Sequence, residues 1–153
     1  MVLVSLFQNL IKMDRIALTK NLFLDEYIPE SLYREYEGKE TELIKLIDPR
    51  IIKADQQLRT IFGPVTINNW WVGGIRNWSG LRTPESPYYS PTSMHSVGKA
   101  SDKLFKDYDS EEVQEWIKEH WKEIGITRME IGVSWVHTDV KDTSGSSLVT
   151  FKS

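Results

Sequence analysis

The chain contains no cysteine. Disulfides and thiolate metal sites are therefore excluded, and any metal must be held by histidine and carboxylate. Histidine is itself scarce, with three in 153 residues. No apolar run approaches the roughly 20 residues of a membrane span. No lysine or arginine cluster offsets the net charge of -3, which removes the electrostatic footprint expected of a nucleic-acid binder. The N-terminal MVLVSLFQNLIKMDR is apolar, but Gln8 and Asn9 interrupt it. No basic region precedes it and no small-residue cleavage site follows, so a signal peptide is not expected. The expectation is a chain made in the cytoplasm, which needs another agent to deliver or release it if it acts elsewhere.

What is present reads as one domain of ordinary globular composition, with 40% hydrophobic and 11% aromatic residues. Residues 1–17 form an apolar lead-in and 18–153 a single domain. If Val2, Leu3, Val4, Leu6 and Phe7 are exposed, that patch is an assembly contact. Residues 18–45 read as a charged, partly helical segment broken by Pro29 and Gly38. Asp48 then caps a helix with Pro49 at its first position, Ile51, Ala54 and Leu58 recur at helical spacing, and Gly63-Pro64 ends it. VTINNWW (Val65 to Trp71) reads as a strand, and the segment to Tyr89 as a long loop rich in Gly, Pro, Ser and Asn. ASDKLF (Ala100 to Phe105) reads as a second strand. Asp109 with Glu112 makes a capping box for a helix whose buried stripe is Val113, Trp116, Ile117, Trp121 and Ile124, and Gly125 ends it. TRMEIGVSWVHTDV and SSLVTF complete the chain as short strands joined by KDTSGS. The class is α+β, a small, mainly antiparallel sheet with helices packed to one side. Six tryptophans are many for this length. Trp70, Trp71 and Trp78 lie in the polar loop region, where aromatics often line a groove.

A catalytic zinc takes three protein ligands and keeps one position open, and two histidines with a carboxylate are an established set. His95, Asp102 and His137 supply it, Gly98 and Ala100 permit a tight turn between the first two, and Ser93 is placed to orient His95. On a strand, His137 and Asp139 share a face, with Trp135 beside them. The competing reading is that these are ordinary surface or core residues. His120, among Glu115, Lys118 and Glu119 on an amphipathic helix, is read in that way.

The stretch Ser93-x-His95-x-x-Gly98-x-Ala100-x-Asp102 resembles the SxHxxGxAxD motif of the zinc D,D-/L,D-peptidases of peptidoglycan, whose fold is shared with the hedgehog signalling domain. Trp135-Val136-His137-Thr138-Asp139-Val140 is similar to the FVHxDV strand of one phage-type branch, where the histidine is the third zinc ligand. Ile67-Asn68-Asn69-Trp70 with Ser79-Gly80-Leu81-Arg82 resembles the I-N-S-G-Y-R region, split here by WVGGIRNW. Leu18 to Glu26 resembles the LTxNFxLxEF opening.

This resemblance implies a hedgehog/DD-peptidase-like fold and a Zn2+ peptidase that cuts peptidoglycan stem peptides, as a phage lysin or virion-associated enzyme. It implies zinc on His95, Asp102 and His137, and Arg82 as an anchor for a substrate carboxylate or the developing oxyanion. Many members carry an acid three residues before the last histidine, where this chain has Ser134. Asp139 is then the first candidate for the base, with the alternative that it orients a ligand. Glu130 is the runner-up, read otherwise as a solvent-facing strand residue. Tyr88, Tyr89 and the loop tryptophans are read as either a wall for the peptide or loop packing. A virion structural or binding protein that keeps the fold without turnover is the alternative function, favoured by Ser134 and the aromatic loop.

Overall fold

Among the described residues, 14–153 of this computed structural model, three α-helices form: α1 (Glu30–Glu35), α2 (Pro49–Phe62) and α3 (Ser110–Ile124). The capping chemistry explains where the two long ones begin. Asp48 accepts from the backbone N–H of Arg50 at 2.9 Å ahead of Pro49, and Glu112 returns a bond to the N–H of Asp109 at 2.9 Å. Gly125 closes α3 in the left-handed conformation, φ 81°.

Five strands follow the order β1 (Val65–Thr66), β2 (Ala100–Phe105), β4 (Val136–Asp139), β3 (Arg128–Glu130), β5 (Val149–Phe151) across one sheet. The β1–β2, β2–β4 and β4–β3 ladders are antiparallel, but β5 runs parallel to β3, so the sheet is mixed. The reason lies in the connection. The chain leaves β4 beside the start of β3 and enters β5 from that same end.

Alternation along the strands gives the sheet two unlike faces. Phe105, Met129 and Val136 point to one side and pack with Ala54, Leu58 and Phe62 of α2 and Val113, Ile117 and Ile124 of α3. Each fully buried aliphatic side chain there contributes about 1.5–3 kcal/mol. Trp116 and Trp121 sit half-buried at the edge of this core, and His120 stacks on Trp116 with ring centres 4.1 Å apart. The same face carries a charged network. Lys103, fully buried, lies 3.0 Å from Oδ1 of Asp55, an ion pair outside hydrogen-bond angles, and donates to Thr138 Oγ1 at 2.8 Å. The other Asp55 oxygen accepts from Tyr27 at 2.8 Å and Ser101 at 2.7 Å.

The segment after Leu18 is more than a charged lead-in. Leu22, Leu24, Tyr27 and Ile28 are fully buried and form a second core with Ile67, Trp70 and Leu81. Packing starts earlier still, since Arg15 pairs with buried Asp25 at 2.6 Å and Ile16 packs on this core. The exposed patch expected at Val2 to Phe7 lies outside the described residues.

The strand expected over Val65 to Trp71 ends at Thr66. Asn68 and Asn69 divert it. Their side-chain oxygens accept from the backbone of Ser79 and Arg76, both at 2.8 Å, pinning the long loop. Trp70 turns inward and donates to the carbonyl of Ile28 at 2.9 Å. Trp70 and Trp71 therefore pack against the core; Trp71 also lines a cleft beside Tyr33 and Arg34, Trp78 lines the one next to Arg82, and Trp70 lines neither.

Candidate metal centre

The open face of the sheet places Asp102 of β2 opposite His137 of β4 in the ladder. His95 reaches the same point from a 3-10 turn, Met94–Val97, capped by the Ser93 hydroxyl, which accepts from the His95 backbone N–H. Ser93 thus fixes the turn, while the imidazole itself is oriented by the carbonyl of Gly80, 2.8 Å from Nδ1. Two glycines make this approach possible. A side chain at Gly80 would collide with the backbone of Tyr27, and one at Gly98, φ 69°, with the carbonyl of Leu46.

Three atoms converge: His95 Nε2, His137 Nδ1 and Asp102 Oδ1. Their separations are 3.2 Å between the nitrogens, 2.8 Å from His137 to Asp102 and 3.3 Å from His95 to Asp102. The protonation pattern follows from the partners behind them. The Gly80 carbonyl can only accept, so His95 Nδ1 carries the proton and Nε2 is left with a lone pair when the ring is neutral. His137 Nε2 donates to Asp139 Oδ2 at 3.0 Å, which leaves Nδ1 in the same condition. The second oxygen of Asp102 accepts from Arg82 Nη2 at 3.0 Å. Three acceptors therefore face one another, and only a proton or a cation between them relieves the repulsion.

A cation fits. A tetrahedral ion with ligands at about 2.0–2.1 Å holds neighbouring donors about 3.3 Å apart, close to this triangle. All three residues are buried, and the ligand atoms lie within 4.8 Å of one another. The group is able to hold a metal ion.

Charge in the site follows the same partners. Burial pushes the Asp102 carboxyl upward, but His137 and His95, which donate to it whenever their rings carry the extra proton, prevail and hold it well below the usual range. Burial works against a charge on His137, yet Asp102 and Asp139 outweigh it and raise its pKa. Asp139 is lowered to about 2, its burial overcome by His137 and Arg128. Arg128 makes a two-pronged contact with it, Nε to Oδ1 at 2.9 Å and Nη2 to Oδ2 at 2.8 Å, and the backbone of Lys141 adds a third donor. Asp139 is fully buried and meets His137 through the ring nitrogen turned away from the other ligands. That is the geometry of an orienting partner rather than of a base open to substrate.

Glu130 is placed differently from its solvent-facing reading. The β3–β4 register, Arg128 with Asp139 and Met129 with Thr138, continues to set Glu130 opposite His137. Glu130 is 6% exposed and lines a cleft of ≈ 320 Å³ with the three ligands, Arg82, Tyr88 and Trp135. Ser134 is exposed at a bend, where its carbonyl accepts from Ser110. Burial lowers the Arg82 pKa against the opposing charges of Asp102 and Glu130. The Arg82 backbone N–H donates to His95 O at 3.1 Å, Nε donates to Trp78 O at 2.8 Å, and Tyr88 lies 5.7 Å from the guanidinium. A second cleft of ≈ 480 Å³ shares Arg82, Tyr88, Asp102 and Trp135 with the first and extends it along Ile75 and Trp78. Tyr89 is not among the residues lining either cleft.

No helix among the described residues is long and apolar enough to cross a membrane. No family model, curated protein or solved structure matches the chain.

Proposed function

We propose that the protein is a zinc-dependent peptidase acting on peptidoglycan stem peptides, with zinc held by His95, Asp102 and His137. The observation that carries the reading is the triangle of three acceptor atoms with edges of 2.8–3.3 Å, each backed by a partner that fixes its orientation. Two imidazoles and one carboxylate favour zinc over the harder, all-oxygen cations, and leave a position open for water or substrate. The chemistry such an ion supplies is Lewis-acid polarisation of a peptide carbonyl and acidification of the attacking water.

The chain's own residues do the rest. Gly80 and Asp139 hold the two imidazoles in the ligating tautomer. Arg82 spends Nε and Nη2 on Trp78 and Asp102, its third nitrogen has no partner among the described residues, and the residue lines both clefts. It binds a substrate carboxylate or the oxyanion that forms at the carbonyl. The continuous groove past Tyr88, Trp78 and Trp135 accepts an extended peptide and shields the bond from bulk water. The specificity for wall peptides rests on the motif resemblance. In that setting the enzyme reaches the wall after release from the cell or as part of a virion.

The test is digestion of purified peptidoglycan by zinc-loaded protein, read by mass spectrometry beside His95→Ala. Defined stem-peptide cuts that vanish in His95→Ala are the expected result, and their masses name the bond. A wild type that binds one zinc and releases nothing from any wall chemotype would make the virion binding protein the better reading.

A further inference from the structure

We infer that Glu130 is the proton-transferring group of this site, supplied from β3 rather than from the strand that carries the third ligand. The inference rests on the peptidase reading above and assigns a residue within it. A hydrolytic centre of this kind needs a carboxylate that is close to the ligands, open to the cleft and not already committed. Asp102 fails because one oxygen belongs to the ligand triangle and the other to Arg82. Asp139 fails because it is fully buried and saturated by Arg128, His137 and the Lys141 backbone. Ser134 offers no carboxylate.

Glu130 meets all three requirements. Among the described residues its carboxylate has no hydrogen-bond or ion-pair partner, although the residue is 6% exposed. It lines the cleft with the three ligands, where a free carboxylate can take a proton from water. The sheet fixes its position. Asp102 pairs with His137 across β2 and β4, and the β3–β4 register, carried one residue past Met129–Thr138, brings Glu130 into the same row and onto the same face. Directly opposed residues hold their β-carbons about 5 Å apart, so the longer glutamate side chain reaches the space beside the ligands. It stands outside the group of ligand atoms, which comprises His95, Asp102 and His137 alone among the described residues. The carboxylate thus shares the cleft with the ligands without being one of that group.

The reaction balances on this residue. Water adds its oxygen to the scissile carbonyl carbon and passes one proton to the Glu130 carboxylate. The carbon–nitrogen bond then breaks, and Glu130 returns that proton to the leaving amine nitrogen. The products are a carboxylic acid and an amine, with Glu130 again a carboxylate.

Glu130→Gln keeps the shape and removes the proton acceptor. On muropeptides released from purified peptidoglycan, kcat should fall about 10²–10⁴-fold, while KM, zinc stoichiometry and melting temperature stay at wild-type values. Glu130→Asp, one methylene short, should recover part of the lost rate, which a variant that merely failed to fold would not. Cutting by Glu130→Gln within a few-fold of wild type would overturn the assignment and leave the peptidase reading standing. Loss of zinc in Glu130→Gln would make the residue a ligand and overturn it as well. A wild type that holds zinc and cuts no wall peptide removes both together.

Discussion

The two faces of the sheet each bury a charged cluster, and they are balanced in opposite ways. On the helix side, Lys103 meets Asp55, and the remaining polar atoms are met by Tyr27, Ser101 and Thr138. The positive charge is built into the chain. On the open side, two imidazole lone pairs and a carboxylate oxygen face one another, and no cationic side chain among the described residues lies inside their triangle. The nearest guanidinium, that of Arg82, sits behind Asp102. A buried cluster that closes on itself is architecture. One that converges on an unmet charge is a receptor for that charge.

The largest effect should come from opening the closed cluster. Lys103→Met leaves Asp55 buried without its cation and should cost about 3–5 kcal/mol in urea unfolding. The double variant Lys103→Met/Asp55→Leu should recover at least half of that, since a pair removed whole leaves no orphaned charge. If the single variant unfolds at the wild-type midpoint, the contrast between the faces collapses.

Next in size is the response of the open cluster to zinc. At about 100 times its Kd, zinc should stabilise the wild type by about 2.7 kcal/mol, with no shift in Asp102→Asn. Chelator should reverse the gain. Equal stabilisation of both proteins would place the ion elsewhere.

Asp139→Asn sharpens the distinction within the open face. It removes an orienting partner of His137, so zinc affinity should drop about 10–100-fold. Its cutting rate at saturating zinc should fall far less than that of Glu130→Gln. A variant with wild-type zinc affinity would leave Asp139 without the orienting role assigned to it.

A change of pH probes how completely the helix side is balanced. Glu26 is buried near Asp25 and Asp55, and burial, opposed by its bond to the Phe23 N–H, pushes its pKa to about 7. The folded state therefore holds a proton that the unfolded chain releases near pH 4.5. Its contribution is fully present below that value and is lost as pH rises through about 7. The urea midpoint should decline across this window in wild type and less so in Glu26→Gln.

Much of this was legible in the residues, for reasons that are local. Capping at Asp48 and Asp109 is a short-range hydrogen-bond pattern, and strand alternation alone puts His137 and Asp139 on one face. What escaped was decided at a distance. The strand from Val65 stops because Asn68 and Asn69 bind a loop some ten residues further on, which periodicity does not register. Glu130 reads as solvent-facing because its strand has one apolar face. Only the packing of the loop bearing Arg82 and Tyr88 over the other face turns that surface into a cleft. The parallel course of β5 depends on the end from which the chain returns, and the composition of KDTSGS does not encode it.

The row Asp102–His137–Glu130 also makes strand register a folding checkpoint. Slipping one strand by a single residue would present its opposite face to the cleft. Lys103 would then replace Asp102, Thr138 would replace His137, or Met129 would replace Glu130. A slip of β2 or β4 removes a ligand, so uptake of the proposed zinc would double as an assay for that pairing. A slip of β3 would spare the ligands and be read in the cutting rate alone.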